Sequence, residues 1–125
     1  MTKILIVEDD AGVRAITGAI LADMGYEVFE AEDAASGLAA ELEKKPDVIL
    51  SDFLMPGMLD APGRNLFDEL SSRPETKDIP LVIASGLPAE TVRGNVPKSL
   101  WPYIMSKPFD YLRLQSVIEA ALKRK

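Results

Sequence analysis

The chain has 125 residues, enough for one domain with a sizeable core, and its apolar share of 47% is too high for a disordered acidic tail. A formal net charge of −6 argues against direct binding to a nucleic-acid backbone. Cysteine and histidine are both absent, which excludes disulfides, thiol chemistry, a histidine general base and histidine-ligated zinc. Any divalent cation would have to be held by oxygen ligands, the preference of magnesium, calcium and manganese. No run of apolar residues is long enough for a membrane span and no basic apolar leader is visible, so a soluble cytoplasmic protein without membrane attachment is expected.

In chain order, KILIVE (3–8) reads as a strand apolar on both faces, as in the middle of a parallel sheet. Val13, Ile16, Ile20, Leu21 and Met24 then recur at helical spacing until Gly25 stops the helix. YEVFEA (26–31) is a more polar strand, nearer an edge. Asp33 or Ser36 is placed to cap a helix that carries Leu38, Ala39 and Leu42 and ends before Pro46. DVILSD (47–52) is a third strand. A glycine- and proline-rich loop, 55–65, delays a helix bearing Leu66, Phe67 and Leu70. IPLVIAS (79–85) is a fourth strand. Gly94 and Pro97 oppose a long helix over 88–100. YIMS (103–106) is a short fifth strand, and a closing helix from about 111 to 122 carries a stripe of Leu114, Val117, Ile118, Ala121 and Leu122. Strict alternation with short links predicts one α/β domain over 1–125, with right-handed crossovers, a parallel sheet and helices on both faces.

In such a sheet, ligands bind beyond the carboxyl ends of the strands. The first strand ends in Glu8, Asp9 and Asp10, the third in Asp52, the fourth in Ser85 and the fifth in Lys107. A parallel arrangement therefore gathers carboxylates, a hydroxyl and an ammonium at one edge. Clustered carboxylates repel one another, and a divalent cation removes that repulsion. An exposed site with few protein ligands suits magnesium, which keeps several of its waters. The spacing of an EF-hand, a P-loop and a dinucleotide fingerprint are all missing. What remains is carboxylate chemistry. Asp52, alone on the central strand and facing the acidic pair, is the best nucleophile toward an activated phosphoryl group, with Ser85 and Lys107 placed to bind its equatorial oxygens. Asp10 is expected to cap the first helix.

Taken in order, ILIVEDD, DVILSDFLMPG, PLVIASG and MSKPF resemble the receiver domain of two-component response regulators over nearly the whole chain. The resemblance implies a doubly wound, flavodoxin-like or CheY-like five-stranded sheet of order 2-1-3-4-5. It implies that Glu8 and Asp9 position magnesium, that Asp52 is the phosphoacceptor, and that the backbone carbonyl of Leu54 is a further metal ligand. Ser85 resembles the switching hydroxyl and Lys107 the lysine that pairs with the phosphoryl group, with a cis bond to Pro108. The implied donor is a histidine kinase or histidine phosphotransfer protein, replaceable by a small phosphodonor. Output is expected through another domain or protein, with no direct nucleic-acid binding, and the chain as a monomer or weak homodimer.

Departures from the family pattern are also legible. The loop after Gly57 is about three residues longer than usual. The switch aromatic is displaced, with Ile104 in its place and Tyr103 one position earlier. Leu54 and Leu87, both apolar, occupy positions that tune water attack, which predicts slow self-dephosphorylation. Two alternatives stay open: a magnesium-dependent hydrolase working through an aspartyl phosphate, and a receiver-like binding domain that is never phosphorylated.

Overall fold

The computed structural model describes residues 1–52, 74, 78–86, 88–94, 98–106 and 110–124. The expected loop over 55–65, the helix with Leu66, Phe67 and Leu70, and Leu54, Leu87, Lys107, Pro108 and Phe109 lie outside the described residues. Within them, the strands are β1 (Lys3–Val7), β2 (Glu27–Ala31), β3 (Val48–Asp52), β4 (Leu81–Ser85) and β5 (Ile104–Ser106). The helices are α1 (Ala11–Asp23), α2 (Ala34–Lys44), α3 (Ala89–Arg93) and α4 (Tyr111–Arg124), with a 3₁₀ segment over Lys98–Tyr103. The sheet has five strands in the order β2-β1-β3-β4-β5, and every neighbouring pair is parallel. This is the flavodoxin-like doubly wound arrangement.

The period of two along each strand divides the core between two faces. Ile4, Ile6, Val48, Leu50, Val82, Ala84 and Met105 pack with Leu21 of α1 and with Leu114, Val117, Ile118 and Ala121 of α4. Leu5, Val7, Ile49, Leu81, Ile83 and Ile104 pack on the other face with Val92 of α3 and Leu100 of the 3₁₀ segment, and Ala40 of α2 joins them. Most strand residues are thus buried whichever way they point, which is why β1, β3 and β4 read as unbroken apolar runs. Each fully buried Leu or Ile contributes about 1.5–3 kcal/mol. At the amino end of the sheet, Asp47 fixes β1 against β3. Its carboxylate accepts from Lys3 N at 2.8 Å, and its own N–H donates to Lys3 O at 2.8 Å.

The helix ends follow their sequence signals. Asp33 caps α2 with a reciprocal Ser36 capping box, and α2 ends at Lys45 in the left-handed region at φ 50°. Gly25 takes φ 99° after α1, a conformation glycine adopts without a Cβ penalty. Two helices bury faces that apolar spacing alone does not name, and the start of the fifth strand needs correction. On α1 the buried residues are Thr17, Gly18 and Leu21, whereas Val13 and Ile16 are exposed, Ile16 at 57%. Gly18 is the reason. A Cβ there would meet Glu30 Oε2 at 3.3 Å and Ile6 Cδ1 at 3.7 Å, so the helix seats closely on the side of Thr17 and Gly18 and leaves Val13 and Ile16 outward. On α2, likewise, Ala39 is exposed and Leu42 is 39% exposed, while Gly37 and Glu41 face inward. At the fifth strand, Tyr103 belongs to the 3₁₀ segment and pairing begins at Ile104. Pro102 lies inside that segment and has no N–H to give a sheet ladder. No helix among the described residues is long and apolar enough to cross a membrane.

Candidate functional site

Strand register brings the acids together. Val7 of β1 is the register partner of Ser51 of β3, so the next residues, Glu8 and Asp52, leave the sheet side by side. Glu8 N–H donates to Ala31 O at 3.0 Å, which carries the β1–β2 ladder one residue beyond the strand. Ser51 Oγ donates to Asp52 O at 2.9 Å and holds the backbone where β3 ends. Glu8, Asp9 and Asp52 each offer a carboxylate oxygen, and these oxygens lie within 4.8 Å of one another. Glu8 is buried at 4% exposure, Asp52 is half-buried and Asp9 is exposed.

Two like unit charges 4 Å apart repel by about 1 kcal/mol in water and about 4 kcal/mol at an effective dielectric of 20. Three carboxylates gathered this closely, one of them buried, are therefore costly without a cation. Graded burial would also suit a hard ion that keeps part of its water shell, with Glu8 buried and Asp9 open to solvent. The donor set, all carboxylate oxygen, fits magnesium.

Asp10 stands apart from this set. Its Oδ1 accepts from Val13 N at 3.0 Å, making it the N-cap of α1 as expected. Ser85 closes β4 at 2% exposure. Ala84 is the register partner of Asp52, so Ser85 lies one residue farther along the neighbouring strand, at the same rim. Lys107 and the Leu54 carbonyl lie outside the described residues. Below the acids, Glu8, Thr17, Leu50 and Asp52 border a small cavity of about 20 Å³, and the buried Thr17 hydroxyl makes no hydrogen bond among the described residues.

One residue of the site escaped sequence reading. Arg14, on the first turn of α1, donates from a terminal guanidinium nitrogen to Glu8 O at 2.7 Å. Its Nε lies 3.4 Å from Glu30 Oε1 on β2. The signal was available, because Arg14 is the only basic residue between Lys3 and Lys44. A lone cation in an acidic, apolar stretch marks a specific partner rather than a solvated face.

The fold and the three acids define a doubly wound α/β domain with an acidic rim at the carboxyl edge of its sheet, and comparison with known proteins assigns it. The family profile of the response regulator receiver domain matches residues 4–119, and the chain belongs to that family. It is 35% identical over 124 residues to the phosphate regulon transcriptional regulatory protein PhoB of Escherichia coli, covering 98% of this chain and 52% of that protein. It is 32% identical over 122 residues to the protein PilH of Pseudomonas aeruginosa, covering 98% of each. The crystal structure of a response regulator from Desulfuromonas acetoxidans superposes with a TM-score of 0.85 at 22% identity, over 98% of both chains, and supports the fold. The chain spans about half the length of the PhoB relatives that it matches. It is thus a phosphoacceptor receiver domain of a two-component phosphorelay. Such domains act as regulatory switches rather than turnover enzymes, which removes the hydrolase alternative.

Proposed function

We propose that Asp52 is the residue phosphorylated, that Glu8 and Asp9 hold magnesium beside it, and that Ser85 and Lys107 bind the incoming phosphoryl oxygens. The observation that carries this reading is the convergence of the Glu8, Asp9 and Asp52 oxygens within 4.8 Å. A carboxylate oxygen of Asp52 attacks phosphorus, the P–N bond to the donor imidazole breaks, and the imidazole leaves with the bond's electron pair. The Asp52 side chain is then an acyl phosphate. When bound, magnesium offsets the charge of the facing carboxylates and of the phosphoryl oxygens. The Leu54 carbonyl completes the proposed protein ligands. Ser85, buried at the rim, supplies a hydroxyl donor, and Lys107 a cation, to the equatorial oxygens.

The donor in this reading is a phosphohistidine on a kinase or phosphotransfer protein, in the cytoplasm. Val13 and Ile16 support a protein donor. Both are exposed on α1, and Val13 borders the same small cavity as Glu8 and Asp52. The whole of 1–125 acts as the receiver domain, with the response delivered by another domain or protein.

The deciding experiment is intact-mass measurement after incubation with magnesium and acetyl phosphate. One phosphoryl mass is expected on the wild type and none on Asp52→Asn. Equal gain on both would move the phosphate elsewhere. No gain on the wild type, beside a competent control receiver, would favour a binding domain that is never phosphorylated.

A further inference from the structure

We propose that Arg14 is a positioning residue for the acid pair, setting cation affinity through the backbone of Glu8. The inference rests on the reading of Glu8, Asp9 and Asp52 as a divalent-cation site. Glu8 is the point where β1 ends and the chain turns toward α1, and its carboxylate and the next residue's both converge on that of Asp52. Two hydrogen bonds fix its peptide groups. The N–H donates to Ala31 O at 3.0 Å, and the carbonyl accepts from Arg14 at 2.7 Å. The second bond fixes the carbonyl of the peptide joining Glu8 to Asp9, and with it the direction in which the Asp9 side chain leaves.

The guanidinium is well suited to this task. It is planar, and it presents N–H groups in fixed directions. One direction is used on Glu8 O and another on Glu30, which belongs to β2. Arg14 itself is rooted in α1, and its side chain is only 19% exposed, against 45% for Glu30. Three elements are therefore tied at the residue where the acids begin. Gly18, one turn along α1, permits the approach: a Cβ there would press on Glu30 at 3.3 Å.

Charge alone would act in the opposite sense. A cation beside a cation site opposes binding, so removing an Arg that acted only through its charge would tighten the ion. Pairing with Glu30 offsets part of that repulsion, and the geometric effect carries the opposite sign. Positioning thus predicts weaker binding when the guanidinium is lost, and the sign separates the two roles.

The test titrates Mn²⁺ into the full chain and reads free ion by electron paramagnetic resonance, with no phosphoryl transfer involved. Arg14→Ala is expected to weaken binding at least fivefold. Arg14→Lys should recover part of the loss by reaching Glu8 O, and Glu30→Gln should weaken binding by a smaller factor. Ala19→Gly, at an exposed site on the same helix, serves as the stability control, matched by thermal midpoint without metal. Unchanged or tighter binding in Arg14→Ala would overturn the proposal, and so would equal weakening in Ala19→Gly at equal loss of midpoint. A wild type that binds no Mn²⁺ would instead defeat the cation-site reading itself.

Discussion

Glu8 and Asp52 stand beside each other because Val7 and Ser51, the residues before them, are register partners in adjacent parallel strands. A slip of one residue would turn every side chain of β1 to the opposite face and separate the two carboxylates. The apolar residues on both sides of the sheet, packed into two distinct cores, hold that register.

Repulsion among the acids gives the first prediction. In the absence of divalent cations, Asp9→Asn or Asp52→Asn should raise stability by about 1 kcal/mol, the size of one relieved contact between largely solvated charges. Adding magnesium at a hundredfold excess over its dissociation constant should stabilise the wild type by about 2.7 kcal/mol and the variants by less. Denaturant unfolding with and without EDTA checks both. Variants that are less stable than wild type in EDTA would show that the acids are already compensated by the protein.

Ile16 and Leu21 test the placement of α1. Leu21 is fully buried and Ile16 is 57% exposed. Leu21→Ala should cost about 2–5 kcal/mol, and Ile16→Ala should stay within about 0.5 kcal/mol. Ile16→Asp should leave phosphorylation by acetyl phosphate intact but slow transfer from a protein phosphodonor. Equal rates with the protein donor would remove α1 from the docking surface.

The contrast also shows what a sequence hides. Apolar spacing located α1 to within a residue or two, but its apolar residues do not all face inward. Gly18 and Thr17 take the inner positions because the helix approaches Glu30 and Ile6 closely, and no periodicity of Val, Ile and Leu records a close approach. The sheet was easier. Strands buried on both faces announce themselves as unbroken apolar runs, and the acids at their ends followed from parallel topology. Arg14 went unread because its partner is a backbone carbonyl, which has no residue type. The 3₁₀ turn at Lys98–Tyr103 was missed because Gly94 and Pro97 argue against a long helix without specifying what replaces it.

Ser85→Ala should still accept a phosphoryl group on Asp52, more slowly, because the nucleophile is untouched. The relayed change should be lost. Amide hydrogen exchange over 98–106, compared before and after phosphorylation, is expected to differ in the wild type and to stay constant in the variant. A variant that still shows the wild-type exchange difference would remove Ser85 from the switch.

Leu54 and Leu87 carry no group able to orient a water. The acyl phosphate should therefore persist for many minutes with magnesium present, followed by loss of the added mass over time. A half-life of seconds would contradict the assignment of these positions.

Burial, assisted by the nearby Glu119 carboxylate, raises the Tyr26 hydroxyl above its usual pKa of 10.0. A raised folded pKa means the native state keeps its proton longer than the unfolded chain. Its contribution is complete below about pH 10 and is lost as pH rises through the folded value. Thermal midpoints between pH 9 and 11 should fall less steeply for Tyr26→Phe than for the wild type. Identical slopes would remove Tyr26 from the alkaline transition.

Trp101 is the chain's single tryptophan. Its indole N–H donates to Arg93 O at 3.2 Å, and Arg93 and Lys98 sit 5.9 and 5.8 Å from the ring centre. The ring thus bridges α3 and the segment leading into β5, with two quenching cations in attendance. Any displacement of that segment would alter the ring's electrostatic surroundings, so a rearrangement reaching it would be read in the emission of the unlabelled protein.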